Sequence, residues 1–195
     1  MLVPLPDLPG LFEGIDWELD IPQQVSRSAF TKRTKVIGMP GAEGWLASAR
    51  VLPAASQAET RAWRTFIVSC RRSENTFHLP AAKPWPVPAA EPTVTAAVAG
   101  NRAVAVSNTD ELAKGMYATV EQASGYYRLV VIVALDGSNV HFEPYLTDPP
   151  KIGATFRIAA PFCSMRLSGT SLKLPNRARP TGFTFEAEEA FEVST

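Results

Sequence analysis

The sequence predicts a mainly β protein, a β-rich α+β fold, and three observations predict that class. Its 17 prolines in 195 residues exceed the ordinary share of roughly 5%, which shortens helices and favours strands, turns and extended connections. Short apolar or alternating runs recur between Gly, Pro, Asn and Asp signals, as in strands joined by turns. Only one segment combines a helical apolar period with a helix start signal. A hydrophobic content of 46% suffices for a real core and argues against disorder throughout.

Residues 15–53 read as strands. "QVSRSAFTKRTKVIG" carries β-branched residues in loose alternation and "GMPGAEG" interrupts it. "WLASARVLP" then resumes with Trp45, Ala47, Ala49 and Val51 on one face, which predicts an antiparallel pair. Ser56 and Glu59 form an S-x-x-E capping box, in which each side chain satisfies a backbone N–H left free at a helix start. Trp63, Phe66, Ile67 and Cys70 follow at i, i+3, i+4, i+7, one buried stripe. Arg71 and Arg72 suit the negative end of the helix dipole, which places a helix over about 57–73, packed on the first sheet. "TFHLP" returns as a strand. "PAAKPWPVPAAEP", from Pro80 to Pro92, excludes helix and central strand and predicts an extended linker.

Beyond the linker come "TVTAAVAG", "RAVAVS", "GMYATVEQ", "YYRLVVIVAL", "NVHFEPYL", "ATFRIAAP" and "FCSMRLSG", short strands that predict a small barrel or sandwich. Asp136-Gly137 supplies a hairpin turn. Leu129, Val131, Val133 and Leu135 alternate with Val130, Ile132 and Ala134, so this strand is expected to be covered on both faces. The closing "GFTFEAEEAFEV" puts Phe183, Phe185, Ala187 and Glu189 on one face and Glu186, Glu188 and Ala190 on the other. It reads as a strand with an acidic edge, returning to the first domain to pair with the basic stretch of Arg27, Lys32, Arg33 and Lys35. The expected division is 1–80 plus 169–195 as a β-sandwich-like domain with the helix, 81–92 as linker, and 93–168 as an inserted β-barrel or sandwich.

Lys+Arg and Asp+Glu both number 19, so no net field draws the chain to nucleic acid, and partners must be recognised locally. Basic "RSAFTKRTK" around Phe30 has the character of a nucleic-acid grip, but "EGIDWELD" upstream compensates it and no nucleic-acid partner is expected. "MLVPLPDLPG" is not a signal peptide, and the longest apolar run, "LVVIVAL", is too short to span a membrane. A soluble protein made in the cytoplasm is expected. The two cysteines, Cys70 and Cys163, sit in apolar contexts and read as reduced core residues.

His141 and Glu143 share a strand face and are the one pairing with acid–base character. No C-x-x-C, H-E-x-x-H, G-x-S-x-G or phosphate-binding glycine loop accompanies them. Catalytic, metal and cofactor sites are therefore not expected. Trp85 between Pro84 and Pro86, with Tyr126 and Tyr127, are candidates for peripheral binding.

Taken in order, the basic N-terminal β-region, "GAEGWLASARVLP", "SQAETRAWRTFIVSCRR", "TFHLP", "KGMYATVEQASGYYRLVVIVALDGSNVHFEPYL", "PPKIGATFRIAAPFCSMRLSG" and "GFTFEAEEAF" resemble the distal tail or minor tail proteins at the tail tip of tailed bacteriophages. The resemblance covers nearly the whole chain as a pattern. It implies a non-enzymatic virion protein, assembled in the host cytoplasm. Its first domain would form an oligomeric, commonly hexameric, ring between the tail tube protein and the hub proteins, with the β-domain displayed outward. Arg27, Lys32, Arg33, Lys35, Glu186, Glu188 and Glu189 are the corresponding candidates for subunit contacts. Alternative readings are a head-to-tail connector or tail completion protein, a carbohydrate-binding β-domain stacking sugars on Tyr117, Tyr126, Tyr127 and Tyr145, and a hydrolase using His141 and Glu143.

Overall fold

The computed structural model describes residues 1–8, 11–38, 42–71, 74–82, 89–168 and 182–191. The elements run β1 (Phe12–Asp20), β2 (Gln23–Arg27), β3 (Thr34–Gly38), β4 (Gly44–Val51), α1 (Gln57–Ser69), β5 (Phe77–Pro80), β6 (Val94–Ala97), β7 (Ala103–Val106), β8 (Tyr117–Glu121), β9 (Tyr127–Asp136), β10 (Asn139–Glu143), β11 (Phe162–Leu167) and β12 (Phe183–Glu189). Among the described residues the protein is mainly β, with one helix, two curled five-stranded sheets and a two-stranded ribbon.

The first sheet has the order β1-β4-β12-β11-β5, antiparallel throughout. Trp45, Ala47, Ala49 and Val51 all face its core, as the alternation predicts. Alanines at 47, 49 and 187 lie side by side on β4 and β12, and these short side chains leave room for the large rings above them. Phe12, Trp63, Phe66, Phe77, Phe183 and Phe185 fill it with edge-on or tilted contacts, Trp63 to Phe183 at 5.3 Å and Phe66 to Phe77 at 5.2 Å. Such pairs each add about 0.5–1.5 kcal/mol beyond area burial. The acidic C-terminal strand does return to the first sheet, but it pairs with β4 and β11 rather than with the basic stretch. The basic residues lie on or between β2 and β3, which among the described residues pair only with each other.

Helix α1 starts as its capping box predicts: Glu59 N donates to Ser56 Oγ at 3.2 Å. The Glu59 carboxylate reaches one residue further back, accepting from Ala55 N at 2.6 Å. The helix ends earlier than expected. Cys70 is the C-cap, and Arg71 has φ 44, outside the helix rather than in its last turn. Asn75 supplies what the arginines were expected to, donating from Nδ2 to Ser69 O at 2.7 Å and from N to Cys70 O at 3.2 Å. Arg72 lies outside the described residues, as do Trp85 and half of the proline linker, 83–88.

The second sheet runs β6-β7-β10-β9-β8, again antiparallel. Gly137 takes φ 58 at the first loop position between β9 and β10, where a two-residue hairpin of the II′ type requires glycine. Residues 149–158, expected in part as a strand, are irregular and lie along both sheet edges. Phe156 N donates to Pro92 O at 2.8 Å and Val94 N to Ala154 O at 2.9 Å beside β6, while Thr119 N donates to Arg157 O at 2.8 Å on β8. Phe156 and Ile158 are fully buried in this segment, so it both bonds to the edge strands of the curled sheet and fills its core.

Two strands depart from the expected division. Phe162–Leu167, assigned from sequence to the outer module, is β11 and sits between β12 and β5 in the first sheet. Strand β9 serves both cores: Leu129 and Val131 join the first, Val130 and Ile132 the second. Its two apolar faces are covered, as expected, up to a register shift opposite His141 and Phe142. Past it, Val133 is exposed and Leu135 packs on the second core instead of following Leu129.

Candidate functional site

Four cations of the expected assembly surface lie together. Arg27 ends β2, Lys32 and Arg33 lie in the turn and Lys35 is on β3, all exposed. Lys32 has φ 57, which helps the turn close, and Ser28 N donates to Arg33 O at 2.9 Å across its base. Phe30, at the tip, is 97% exposed, and Val25, Val36 and Ile37 are also open to solvent. Strands β2 and β3 therefore form an arm that buries almost nothing of its own. A two-stranded hairpin without a packed face is marginal in water.

The acidic candidates separate. Glu186 is exposed on the outer face of the first sheet, and Glu188 pairs there with Arg166 at 2.9 Å. Glu189 points the other way and is not available at a surface: its side chain is fully buried. It accepts from Trp45 N at 3.0 Å and from Tyr126 Oη at 2.7 Å, and its Oε1 lies 3.4 Å from Arg128 Nε. Arg128, also fully buried, donates through its two terminal nitrogens to the carbonyls of Tyr145 and Glu43. Glu43 is itself buried, accepts from Tyr145 N at 3.2 Å and lies 3.8 Å from Arg102, which reaches Glu143 at 3.4 Å. Trp45 Nε1 donates to Leu129 O at 2.7 Å.

This network ties the start of β4 and the end of β12, in the first sheet, to the start of β9 and the loop after β10, in the second. Burial pushes the Glu189 carboxyl above its ordinary range, against the opposing pull of Arg128 and of the Tyr126 and Trp45 hydrogen bonds. Burial, then the Glu189 charge, raises Tyr126. Sequence reasoning missed Arg128 and Glu43. The signal for Arg128 was present: an arginine opening a strand whose neighbours are apolar on both faces has no solvent side to occupy.

Tyr126 is thus a buried donor rather than a peripheral binding residue. Tyr127 is half-buried, packing on Phe162 at 5.4 Å and His78 at 6.0 Å. His141 and Glu143 do share the half-buried face of β10, and Glu143 is engaged by Arg102. Burial raises the Glu143 carboxyl, offset by Arg102. Cys70 and Cys163 are fully buried and unbridged, with burial pushing the Cys70 thiol up to about 12 and Cys163 well above its ordinary range. Thiols at such values are not nucleophiles at neutral pH. Burial and then Arg157 lower His78, which stacks on Phe162 at 4.1 Å. Among the described residues no group of three or more His, Cys, Asp or Glu side chains is placed to hold a metal ion, and no helix is long and apolar enough to cross a membrane. The chain matches no protein-family model and no curated protein.

Proposed function

We propose that this chain is a structural virion protein of a bacteriophage tail tip, whose copies form an oligomeric ring joining the tail tube to the hub and host-recognition apparatus. The observation that carries the reading is the β2–β3 arm. It exposes a phenylalanine, three aliphatic side chains and four cations on a ribbon with no core. Such an element gains stability only against another surface. The rest of the described chain supports a rigid building block: two sheets clamped by a buried charge network of Arg128, Glu189, Glu43 and Tyr126. The ordered series of sequence segments that resembles distal tail proteins supplies the position at the tail tip.

Electron microscopy tests the reading directly. Particles carrying the protein with a gold-labelled C terminus are expected to show label at the distal end of the tail. Label at the head-to-tail junction would favour the connector reading, and particles without label would refute both.

A further inference from the structure

Resting on the assembly reading, we propose that the β2–β3 arm of one copy docks in a carboxylate-rimmed cleft on the outer face of the first sheet of a second copy, with Phe30 as the apolar anchor. The arm is one-signed: residues 21–38 contain Arg27, Lys32, Arg33 and Lys35 and no Asp or Glu. None of the four cations enters an ion pair with another described residue. Val25 and Val36 pair directly across the ribbon and are 63% and 55% exposed, beside Phe30 at 97%. Apolar anchors ringed by unpaired cations call for a surface with an apolar floor and a negative rim.

The first sheet has one. A cleft of about 440 Å³ lies over β1, β4 and β12, with Leu46 and Ser48 in its lining and Asp16, Glu18 and Glu186 around them; the Trp17 ring, on the other side of the sheet, packs on Trp45 in the core. The strand register explains the charge. Asp16 and Glu186 flank Ser48 from either side, and Glu18 and Glu188 flank Leu46 in the next row. Arg50 at 3.5 Å pairs Asp16, and Arg166 pairs Glu188. Glu18 and Glu186 are left without an ion pair among the described residues. Leu46, between Glu18 and Glu188 and one row from Glu186, is 37% exposed, while Trp45 and Ala47 on either side of it in the strand face inward. The volume accommodates a phenyl ring.

Arm and cleft are different surfaces of one chain, so their contact between copies is head-to-tail. Repeated, it closes into a ring if the rotation per subunit allows and otherwise propagates. This gives the assembly reading a specific joint: cations on the ribbon meet Glu18 and Glu186 of the next copy while Phe30 covers its Leu46.

The test uses the full-length protein and sedimentation equilibrium. The wild type is expected to self-associate, more weakly as salt is raised. Arg33→Glu with Lys35→Glu, and separately Glu18→Lys with Glu186→Lys, are each expected to weaken association about tenfold or more. An equimolar mixture of the two double variants is expected to associate again, because the reversed arm matches the reversed cleft. A Phe30→Cys chain mixed with a Ser48→Cys chain is expected to give an interchain disulfide under mild oxidation, the native thiols being buried. Cleft reversal that leaves association intact, or a mixture of reversed chains that stays apart, overturns the proposal. So does a wild-type chain that remains monomeric at millimolar concentration. The gold-label experiment is unaffected by these outcomes, so failure of the joint and failure of the tail assignment are distinguishable.

Discussion

Replacing Arg128 with methionine isolates the charge that holds the two sheets together. Methionine keeps the length and apolar stem of the arginine but removes every donor. The Glu189 side chain, fully buried, then faces no cation, and the carbonyls of Tyr145 and Glu43 lose the guanidinium donors they accept from. Breaking a buried pair by removing one partner costs about 3–5 kcal/mol, and each buried carbonyl left unsatisfied costs about 1–3 kcal/mol. These penalties overlap, because Glu189 can take up a proton, so a loss of about 4 kcal/mol is expected, against a total stability of about 5–15 kcal/mol for a typical protein. Urea unfolding followed by tryptophan fluorescence measures it, with Trp45 reporting from inside the network. The double change Arg128→Met with Glu189→Gln is expected to recover part of the loss, since the uncompensated charge is gone while the orphaned carbonyls remain. A single-variant loss below about 1 kcal/mol would refute the claim that this network clamps the sheets.

Three further outcomes follow from the same structure. Because burial raises the folded-state pKa of Glu189, the folded protein retains a proton that the unfolded chain has released. Its contribution to stability is therefore greatest at low pH and falls as pH rises from the ordinary glutamate value, near 4.5, through the raised one. Wild type measured against Glu189→Gln across that window should lose relative stability with increasing pH, and a difference independent of pH would contradict the shift. Ser56→Ala removes the acceptor for Glu59 N and should cost about 1 kcal/mol, read as a lower thermal midpoint; an unchanged midpoint would show that α1 is held by its packing alone. Cys70 and Cys163, buried with raised pKa values, should resist a thiol reagent at neutral pH until urea unfolds the chain, whereas fast labelling of the native protein would place one of them at the surface.

Elements whose signals lie within a few residues were legible in the sequence. The capping box and the Trp63, Phe66, Ile67 stripe located α1, the alternation from Trp45 to Val51 identified the buried face of β4, and Asp136-Gly137 marked the β9–β10 hairpin. The two apolar faces of β9 correctly implied cover on both sides, because period-two alternation is a property of the backbone itself. Of the proposed surface residues, the four arm cations are exposed, and Glu186 with them.

Errors arose where the partner, not the segment, decides. "FCSMRLSG" is strand-like in any sheet, and only pairing with β5 and β12 shows which one it joins. The outward or inward fate of Glu189 depends on Arg128, 61 positions earlier in the sequence, arriving from another sheet to meet it. Opposite charge between residues 27–35 and 186–189 suggested a ladder, but exposed pairs are worth only about 0–1 kcal/mol, too little to set strand order against the burial of Phe183 and Phe185. Local pattern was enough to mark the start of α1, the buried face of β4 and the two covered faces of β9, though not the end of the helix or the irregular course of residues 149–158. Which strands became neighbours and which charge was enclosed emerged in the folded chain alone, because both depend on burying apolar area between distant segments and local pattern carries no record of the distance.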